Sequence, residues 1–405
     1  MRIESKHQNR LSGVVLTFLF AAIGFASYAD SIPSGFSHPL VWRLGAEVAP
    51  AWVPGTNGFL DGENPLGRNI RNNLSASLRA GFSFAPDTRE GLLYKGLYQG
   101  IGLGYTTFYS SELLGTPVSA YIYQGAPIVR FSPKLWLGYE WQFGAAFGWK
   151  HYDHETAENN AVVSTSVTAR MGLGIKMHYD MTSRVRLSFG LEAIHYSNGN
   201  TSWPNAGVNS IGASVGVACL LGSDKSSEEA ETPAWLEEEA DRGRWFYDLI
   251  AFGAWRKRIV NVGEPPTAEL CPGKFAIAGF QVSPMRRLNR WVAVGAALDV
   301  QWDESAGLAP YWVEGSSDEN IKFERPPFMK QVSAGLSAHA ELTVPIFSVN
   351  AGLGYDVLSP RGNNRFYQSL TLKTFVTDKL FLNVGYRLGD FKEPQNLMLG
   401  LGVRL

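Results

Sequence analysis

A histidine, a serine and several asparagines lie close together in this 405-residue chain. His195 and Ser197 are two positions apart, Asn198 and Asn205 follow, and Asn209 comes next. An imidazole beside a hydroxyl can act as general base for a nucleophile, and an amide can hold the ring in one tautomer. These residues predict acyl transfer, with Ser197 as nucleophile, His195 as base and Asn209 as the orienting group.

The strand pattern around these residues predicts where their side chains point. Apolar residues occupy alternate positions of a predicted strand over 184–197, namely Val185, Leu187, Phe189, Leu191 and Ala193. His195 and Ser197 continue this row, so both side chains should lie on the apolar face of the strand. In a membrane-spanning barrel, this is the outward face. Asn209 continues the outward row of the next strand, and antiparallel pairing should place it beside His195. Asn198, Asn205 and nearby backbone N–H groups are candidate donors to an oxyanion.

Period-two alternation of apolar with polar or small residues runs through most of the chain. It recurs in segments about ten residues long, which is typical of a membrane-spanning barrel. The sequence therefore predicts an all-β fold, a transmembrane antiparallel up-and-down β-barrel of about 14–16 strands. Strands are expected near 40–53, 72–85, 97–109, 117–131, 134–149, 162–179, 184–197, 208–220, 245–256, 273–283, 290–302, 331–344, 346–357, 365–376, 379–388 and 396–405.

The ends and the middle of the chain suggest its domain organisation. Residues 1–29 have a basic start, an apolar run and small residues at Ser27 and Ala29, as in a secretory signal peptide. An acidic stretch, 223–244, separates residues 30–222 from residues 245–405 and is expected to be a periplasmic linker. We expect the two halves to close one large barrel, although the first half could also close alone.

Charge and cysteine content exclude several classes of protein. A formal net charge of −1 argues against a nucleic-acid partner. Two cysteines, Cys219 and Cys271, cannot provide a disulfide framework, and the predicted topology puts them at opposite ends of the barrel, so we expect no bond between them. The loop 151–155 contains His, Asp and Glu but lacks a metal-binding spacing, and no metal or cofactor is expected.

The segment 191–212 resembles the motif of lipid A 3-O-deacylases of the PagL type and of related acyloxyacyl hydrolases. The shared pattern is His-x-Ser-Asn, then Pro-Asn, then Gly, which stand here as His195, Ser197, Asn198, Pro204, Asn205 and Gly207. The resemblance implies an outer-membrane serine esterase acting on lipid A, with Asn198, Asn205 and Gly207 around the oxyanion. The third member of the family's best-known triad is a glutamate, and Asn209 stands in its place.

Two other functions are compatible with a barrel of this kind. A porin-like or structural barrel would leave His195 and Ser197 inert, but a polar lumen alone would not place polar groups on the costly lipid face. An outer-membrane phospholipase would share the chemistry and differ in substrate. The outward row of His195, Ser197 and Asn209 favours lipid A deacylation at the barrel surface over a channel.

Overall fold

The computed structural model describes residues 40–86, 88–152, 160, 162–199, 201–222, 243–257, 259–262, 267–270, 273–312, 321–360, 364–391 and 393–405. The predicted signal peptide lies outside these residues, and so do Cys271 and nearly all of the predicted linker. The expectations for them stay predictions.

The chain is built from antiparallel strands, as predicted. In chain order they are β1 (Leu40–Trp52), β2 (Asn72–Phe84), β3 (Tyr98–Thr107), β4 (Gly115–Arg130), β5 (Leu135–Trp149), β6 (Val167–Asp180), β7 (Val185–Ser197), β8 (Val208–Leu221), β9 (Trp245–Arg256), β10 (Ile259–Val262), β11 (Thr267–Leu270), β12 (Phe275–Arg287), β13 (Val292–Asp303), β14 (Ala309–Trp312), β15 (Ile321–Glu324), β16 (Val332–Thr343), β17 (Phe347–Leu358), β18 (Phe366–Phe375), β19 (Leu380–Gly389) and β20 (Glu393–Arg404). Short helices cover Arg89–Tyr94 and Ser111–Leu114, and a 3-10 turn covers Phe328–Gln331.

These strands form two closed barrels rather than one. The first contains β1 to β8, and the second contains β9, β12, β13 and β16 to β20. In the first, β1 pairs with β8, for example Trp42 with Leu221; in the second, β9 pairs with β20, for example Gly253 with Leu399. The all-β antiparallel fold is thus confirmed, and the expectation of one large barrel is wrong, because each half pairs its own first and last strand.

Large apolar side chains cover the outer faces of both barrels. On β6 and β7, Leu173 and Leu191 are 65% and 62% exposed, and on β16 Leu336 is 62% exposed. Alternate positions on the same strands point inward and are buried, such as Lys176 and Glu192. Among the described residues, no helix is long and apolar enough to cross a membrane.

Two tight turns at one end of the first barrel, between β4 and β5 and between β6 and β7, are each held by a hydroxyl. Ser132 Oγ accepts from Leu135 N at 3.0 Å, and Thr182 Oγ1 accepts from Val185 N at 3.0 Å. In the second barrel Thr377 Oγ1 accepts from Leu380 N at 2.9 Å in the same way. Serine and threonine favour such turns because the hydroxyl replaces a backbone partner. These turns coincide with the gaps between the predicted strands at 132–133, 180–183 and 377–378.

The lumen of the first barrel holds a buried network of opposite charges. Lys176 Nζ contacts Glu140 at 3.0 Å and also pairs with Glu47. Arg79 bridges the same carboxylates, 2.9 Å from Glu47 and 2.7 Å from Glu140. Glu192 Oε2 lies 3.8 Å from Lys176 Nζ. A barrel of eight strands is just wide enough for side chains to fill its interior, and here the filling is ionic.

The second lumen repeats this design with different residues. Lys373 Nζ lies 2.7 Å from Asp248 and 2.6 Å from Glu341, and Arg404 lies 2.7 Å from each of the same two carboxylates. Because each cation is shared by two anions, the buried charges compensate one another. Each barrel therefore has its own ion-paired interior.

An apolar cap closes the first barrel at the end where β7 finishes. Its members come from the loops after β1, β3 and β5 and from strand ends, and they are Val53, Phe59, Leu60, Ile70, Phe108, Leu113, Leu114, Ala146, Trp149, Val162, Val163, Ile194, Tyr196 and Val208. Ile194 and Tyr196 belong to β7 and flank His195 in sequence. The cap therefore anchors the strand end that carries the candidate site.

Removal of one cation from the charge network in the first lumen should destabilise the fold, because it leaves buried carboxylates without full compensation. Replacing Lys176 by Met removes a cation that touches two carboxylates, and we expect the free energy of unfolding to fall by about 3 kcal/mol. The control is Lys134→Met, an exposed lysine in a tight turn, which should change it by less than about 0.5 kcal/mol. Urea titration of the folded protein in detergent micelles measures both, and equal values for the two variants would contradict the expectation.

Candidate functional site

The outer row of β7 carries the candidate site. Phe189 and Leu191 on this row are exposed, whereas Glu192, Ile194 and Tyr196 on the opposite row are buried. His195 and Ser197 continue the outer row and are partly exposed. Their outward direction agrees with the alternation in the sequence, because successive side chains of a strand point to opposite faces.

The imidazole of His195 is hydrogen-bonded to Asn209 across two neighbouring strands. The two residues are direct partners in the β7–β8 register. His195 Nδ1 lies 2.7 Å from Asn209 Oδ1. An amide oxygen can only accept a hydrogen bond, so Nδ1 carries the proton and Nε2 keeps its lone pair. Asn209 thus prepares His195 to accept a proton at Nε2.

The side chain of Asn205 is hydrogen-bonded both to the Ser197 hydroxyl and to the backbone N–H of Asn198. Its Nδ2 donates to Ser197 Oγ at 3.1 Å, and its Oδ1 accepts from Asn198 N at 3.0 Å. Ser197 Oγ also lies 3.5 Å from Asn205 Oδ1. The loop before β8 therefore returns to the end of β7 and holds Ser197 in place.

Gly207 lies against the imidazole in a conformation that favours glycine. Its φ is +72°. A Cβ added there would lie 2.8 Å from Tyr196 O and 3.0 Å from His195 Cε1. Its N donates to Val162 O at 3.0 Å. A larger residue would be strained and would push on the ring of His195.

Asn198 is buried at the edge of the site, with an exposed fraction of 4%. Its Nδ2 donates to Ser164 Oγ at 2.9 Å. Sequence reasoning did not identify Ser164: the predicted strand near 162–179 included this residue, whereas β6 begins at Val167 and Ser164 lies in the irregular segment before it. The carboxylate of Glu192 points into the lumen, 3.8 Å from Lys176 Nζ, on the face of β7 opposite to His195.

The structure brings together two pairs, His195 with Asn209 and Ser197 with Asn205. The expected hydrogen bond between His195 and Ser197 stays a prediction. The six predicted site residues lie at one corner of the first barrel, where β7 ends and β8 begins. They are His195, Ser197, Asn198, Asn205, Gly207 and Asn209.

The same three residue types meet a second time, inside the second barrel. Ser337 Oγ lies 2.8 Å from His339 Nε2, and His339 Nδ1 lies 2.5 Å from Asn350 Oδ1. Ser337 and His339 are each 5% exposed. A Cβ added at Gly352 would lie 2.6 Å from His339 Cε1, so the space beside the ring is filled. This set is part of a packed polar lumen and leaves no room for an ester beside the hydroxyl.

Within the part of the chain that the structure describes, three or more His, Cys, Asp or Glu side chains nowhere gather as a metal site. Most of the loop 151–155 lies outside that part.

Two family profiles match the chain on either side of the acidic stretch. Residues 61–218 match the lipid A 3-O-deacylase (PagL) family, and residues 245–405 match the C-terminal domain of acyloxyacyl hydrolases. The chain belongs to the PagL family of lipid A deacylases. It is accordingly an esterase of the outer membrane, and the resemblance inferred from His195, Ser197 and the residues after them is confirmed.

Solved structures of outer-membrane barrels resemble the chain at low identity. Neisserial surface protein A is 16% identical over 45% of this chain and 97% of its own, with a TM-score of 0.27. The siderophore receptor PirA from Acinetobacter baumannii is 8% identical over 85% of this chain and 68% of its own, with a TM-score of 0.23. A mutant Rh. blastica porin is 9% identical over 90% of this chain and 100% of its own, with a TM-score of 0.17. No match was found among curated proteins.

Replacing Gly207 by Ala tests whether the contact of this residue with His195 affects activity. A control glycine with positive φ accounts for the effect of backbone strain alone. In Gly207→Ala the new methyl group presses on His195, so lipid A deacylation should fall at least about tenfold, as expected when a catalytic group is misplaced. Gly67→Ala is the control, because Gly67 also has a positive φ of +59° but nothing lies within 4 Å of its added Cβ.

Fatty acid release from lipid A, measured by mass spectrometry, reports the activity of both variants. The control should keep the rate of the parent protein. If Gly207→Ala is as active as Gly67→Ala, the contact with the imidazole has no catalytic importance.

Proposed function

We propose that the chain hydrolyses an acyl ester of lipid A as a serine esterase, at the lipid-facing surface of its first barrel. Ser197 is the nucleophile and His195 the general base. The observation that carries this proposal is the 2.7 Å contact between His195 Nδ1 and Asn209 Oδ1, which leaves Nε2 as the basic nitrogen on the same outer row as Ser197.

The reaction then follows the two-step course of serine esterases. Ser197 Oγ attacks the ester carbonyl while His195 Nε2 takes its proton. The tetrahedral intermediate collapses, the alcohol of the ester leaves with the proton from His195, and the acyl group remains on Ser197. A water molecule, deprotonated by His195, then releases the fatty acid and restores the hydroxyl.

Asparagine amides are the candidate oxyanion donors. Asn205 Nδ2 already approaches Ser197 Oγ at 3.1 Å, and Asn198 follows Ser197 directly. Fixed N–H groups beside the reacting carbonyl stabilise the negative charge that develops on its oxygen, and they need no reorganisation at that moment. Both amides are therefore assigned to this role.

A site on the outer row suits a lipid substrate. Exposed Phe189 and Leu191 lie on the same row of β7 as His195, so the acyl chains of a membrane lipid can contact this face. The scissile ester lies at the boundary between headgroup and acyl chains, near the ends of the strands. The substrate can therefore arrive laterally and need not leave the membrane.

The porin-like alternative has less support. Both lumens contain buried ion pairs, with Lys176 in the first barrel and Lys373 in the second each 1% exposed. A conducting pore needs water in that space. A phospholipase would use the same chemistry, so the substrate must be tested directly.

Replacing Ser197 by Ala should abolish hydrolysis and leave the barrel folded, because a hydroxyl on the outer face contributes little to packing. Purified protein is assayed with lipid A and, in parallel, with phosphatidylethanolamine in the same micelles. We expect Ser197-dependent release from lipid A only. Ser166→Ala, at an exposed serine before β6, is the control and should retain the parent rate.

Two results would overturn the proposal. If Ser197→Ala releases fatty acid from lipid A at the parent rate, Ser197 is not the nucleophile. If the parent protein cleaves the phospholipid and not lipid A, the phospholipase alternative replaces it.

Replacement of Asn209 tests the third position of the triad. An amide orients His195 but cannot stabilise the imidazolium by charge, so Asn209→Glu should preserve or raise kcat. Asn209→Ala loses orientation as well, and kcat should fall by about tenfold or more. Initial rates on lipid A, with folding checked by heat-modifiable gel migration, compare the variants; equal rates for Asn209→Ala and the parent would exclude an orienting role.

A further inference from the structure

A short loop segment before β6 touches the candidate site at two points. We call Asn160 with residues 162–164 the strap. Ser164 Oγ accepts from Asn198 Nδ2 at 2.9 Å, and Val162 O accepts from Gly207 N at 3.0 Å. One contact is therefore made to Asn198, the candidate oxyanion donor. The other is made to Gly207, which lies against the ring of His195.

The buried side chain of Asn160 holds one end of the strap. Asn160 is 3% exposed. Its Oδ1 accepts from Val162 N at 3.1 Å and from Val163 N at 3.3 Å. Its Nδ2 donates to Lys150 O at 2.7 Å and lies 3.4 Å from Leu113 O. Asn160 thus ties the strap to the loops that follow β3 and β5.

Apolar packing holds the middle of the strap. Val162 and Val163 are 0% and 1% exposed and belong to the apolar cap together with Tyr196 and Val208. Tyr196 lies between His195 and Ser197, and Val208 lies between Gly207 and Asn209. The cap therefore fixes the strap relative to the backbone that carries the site.

The geometry at Asn198 gives this arrangement a chemical meaning. A side-chain amide is planar and its nitrogen carries two N–H groups. When one N–H is directed to Ser164 Oγ, the plane of the amide is set, and so is the direction of the second N–H. An oxyanion donor is effective only if it is aligned before charge develops.

We infer that Ser164 and Asn160 are positioning residues for ester hydrolysis: Ser164 aligns the Asn198 amide toward the oxyanion, and Asn160 holds Ser164 in place. The inference rests on the proposed function. It gives the buried amide of Asn160 a role in catalysis, although Asn160 touches neither Ser197 nor the substrate.

The first test is Ser164→Ala, which removes the acceptor for Asn198 Nδ2. We expect kcat on lipid A to fall about tenfold, since misaligned donors lose transition-state stabilisation. KM should stay within about twofold, because ground-state binding is unchanged. Ser164→Thr keeps the hydroxyl and should restore most of kcat.

The matched control is Thr165→Ala at the neighbouring residue. Thr165 Oγ1 also makes a hydrogen bond, 2.6 Å to Val167 O, but that bond reaches only the first residue of β6 and not the candidate site. We expect the control to keep the parent kcat. If Thr165→Ala lowers kcat as much as Ser164→Ala does, the effect is general loosening of the loop and the inference is wrong.

A double-mutant cycle decides whether Ser164 acts through Asn198. If it does, Ser164→Ala should cause no further loss of kcat in an Asn198→Ala background, because residues that act as a unit are not additive. A full additional loss would show that Ser164 acts in another way. Asn160→Ala should lower kcat as Ser164→Ala does, in a folded barrel. If Asn160→Ala does not fold, the double-mutant cycle of Ser164 with Asn198 still decides whether Ser164 acts through Asn198.

The outcomes separate this inference from the proposed function. If Ser197→Ala is inactive while Ser164→Ala keeps the parent kcat, the strap has no catalytic role and the esterase assignment stands. If Ser197→Ala keeps the parent rate, the esterase assignment itself fails.

Discussion

Closure of each hydrogen-bonded sheet after eight strands is the constraint on which the rest of this structure depends. In a membrane every backbone N–H and C=O must find a partner, and a closed barrel provides one for each strand. Eight strands leave a lumen that side chains can fill. Here the lumen is filled by shared ion pairs such as those of Lys176 and Lys373. The interior is occupied, and His195 and Ser197 lie on the outer row at the end of β7.

The sequence predicted the strands well because alternation is a local property. The row from Val185 to Ser197 could be assigned to the outer face from its own residues, and β7 covers Val185–Ser197. The number of barrels could not be predicted in the same way, since strands of an eight-stranded and a sixteen-stranded barrel have the same period of two. Closure depends on which strand meets β1, as in the pairing of Trp42 with Leu221. The short hairpins β10–β11 and β14–β15 were also missed, because their strands are only four residues long.

In the candidate site too, the sequence predicted the features that depend on the local strand pattern and missed those that depend on tertiary contacts. The pairing of His195 with Asn209 follows from strand parity and antiparallel register, both of which are readable in the sequence. Ser164 and Asn160 were not predicted, because they lie in irregular backbone and reach the site through tertiary contacts. The second set of Ser337, His339 and Asn350 shows the limit of residue types alone, since equally short contacts there are enclosed in a packed lumen. Burial and the surrounding space distinguish the two sets.

The tight turns also have a consequence for how the chain assembles. A turn in which Thr182 or Thr377 holds its own backbone lets two adjacent strands meet early, because only a few residues separate the ends. The other pairings in each barrel join successive strands of that barrel, and one pairing per barrel joins strands that are distant in sequence, β1 with β8 and β9 with β20. Loop-closure entropy makes that step the slow one. Each half thus closes through a pairing of its own, and the barrel that bears His195 and Asn209 takes no strand from the second half.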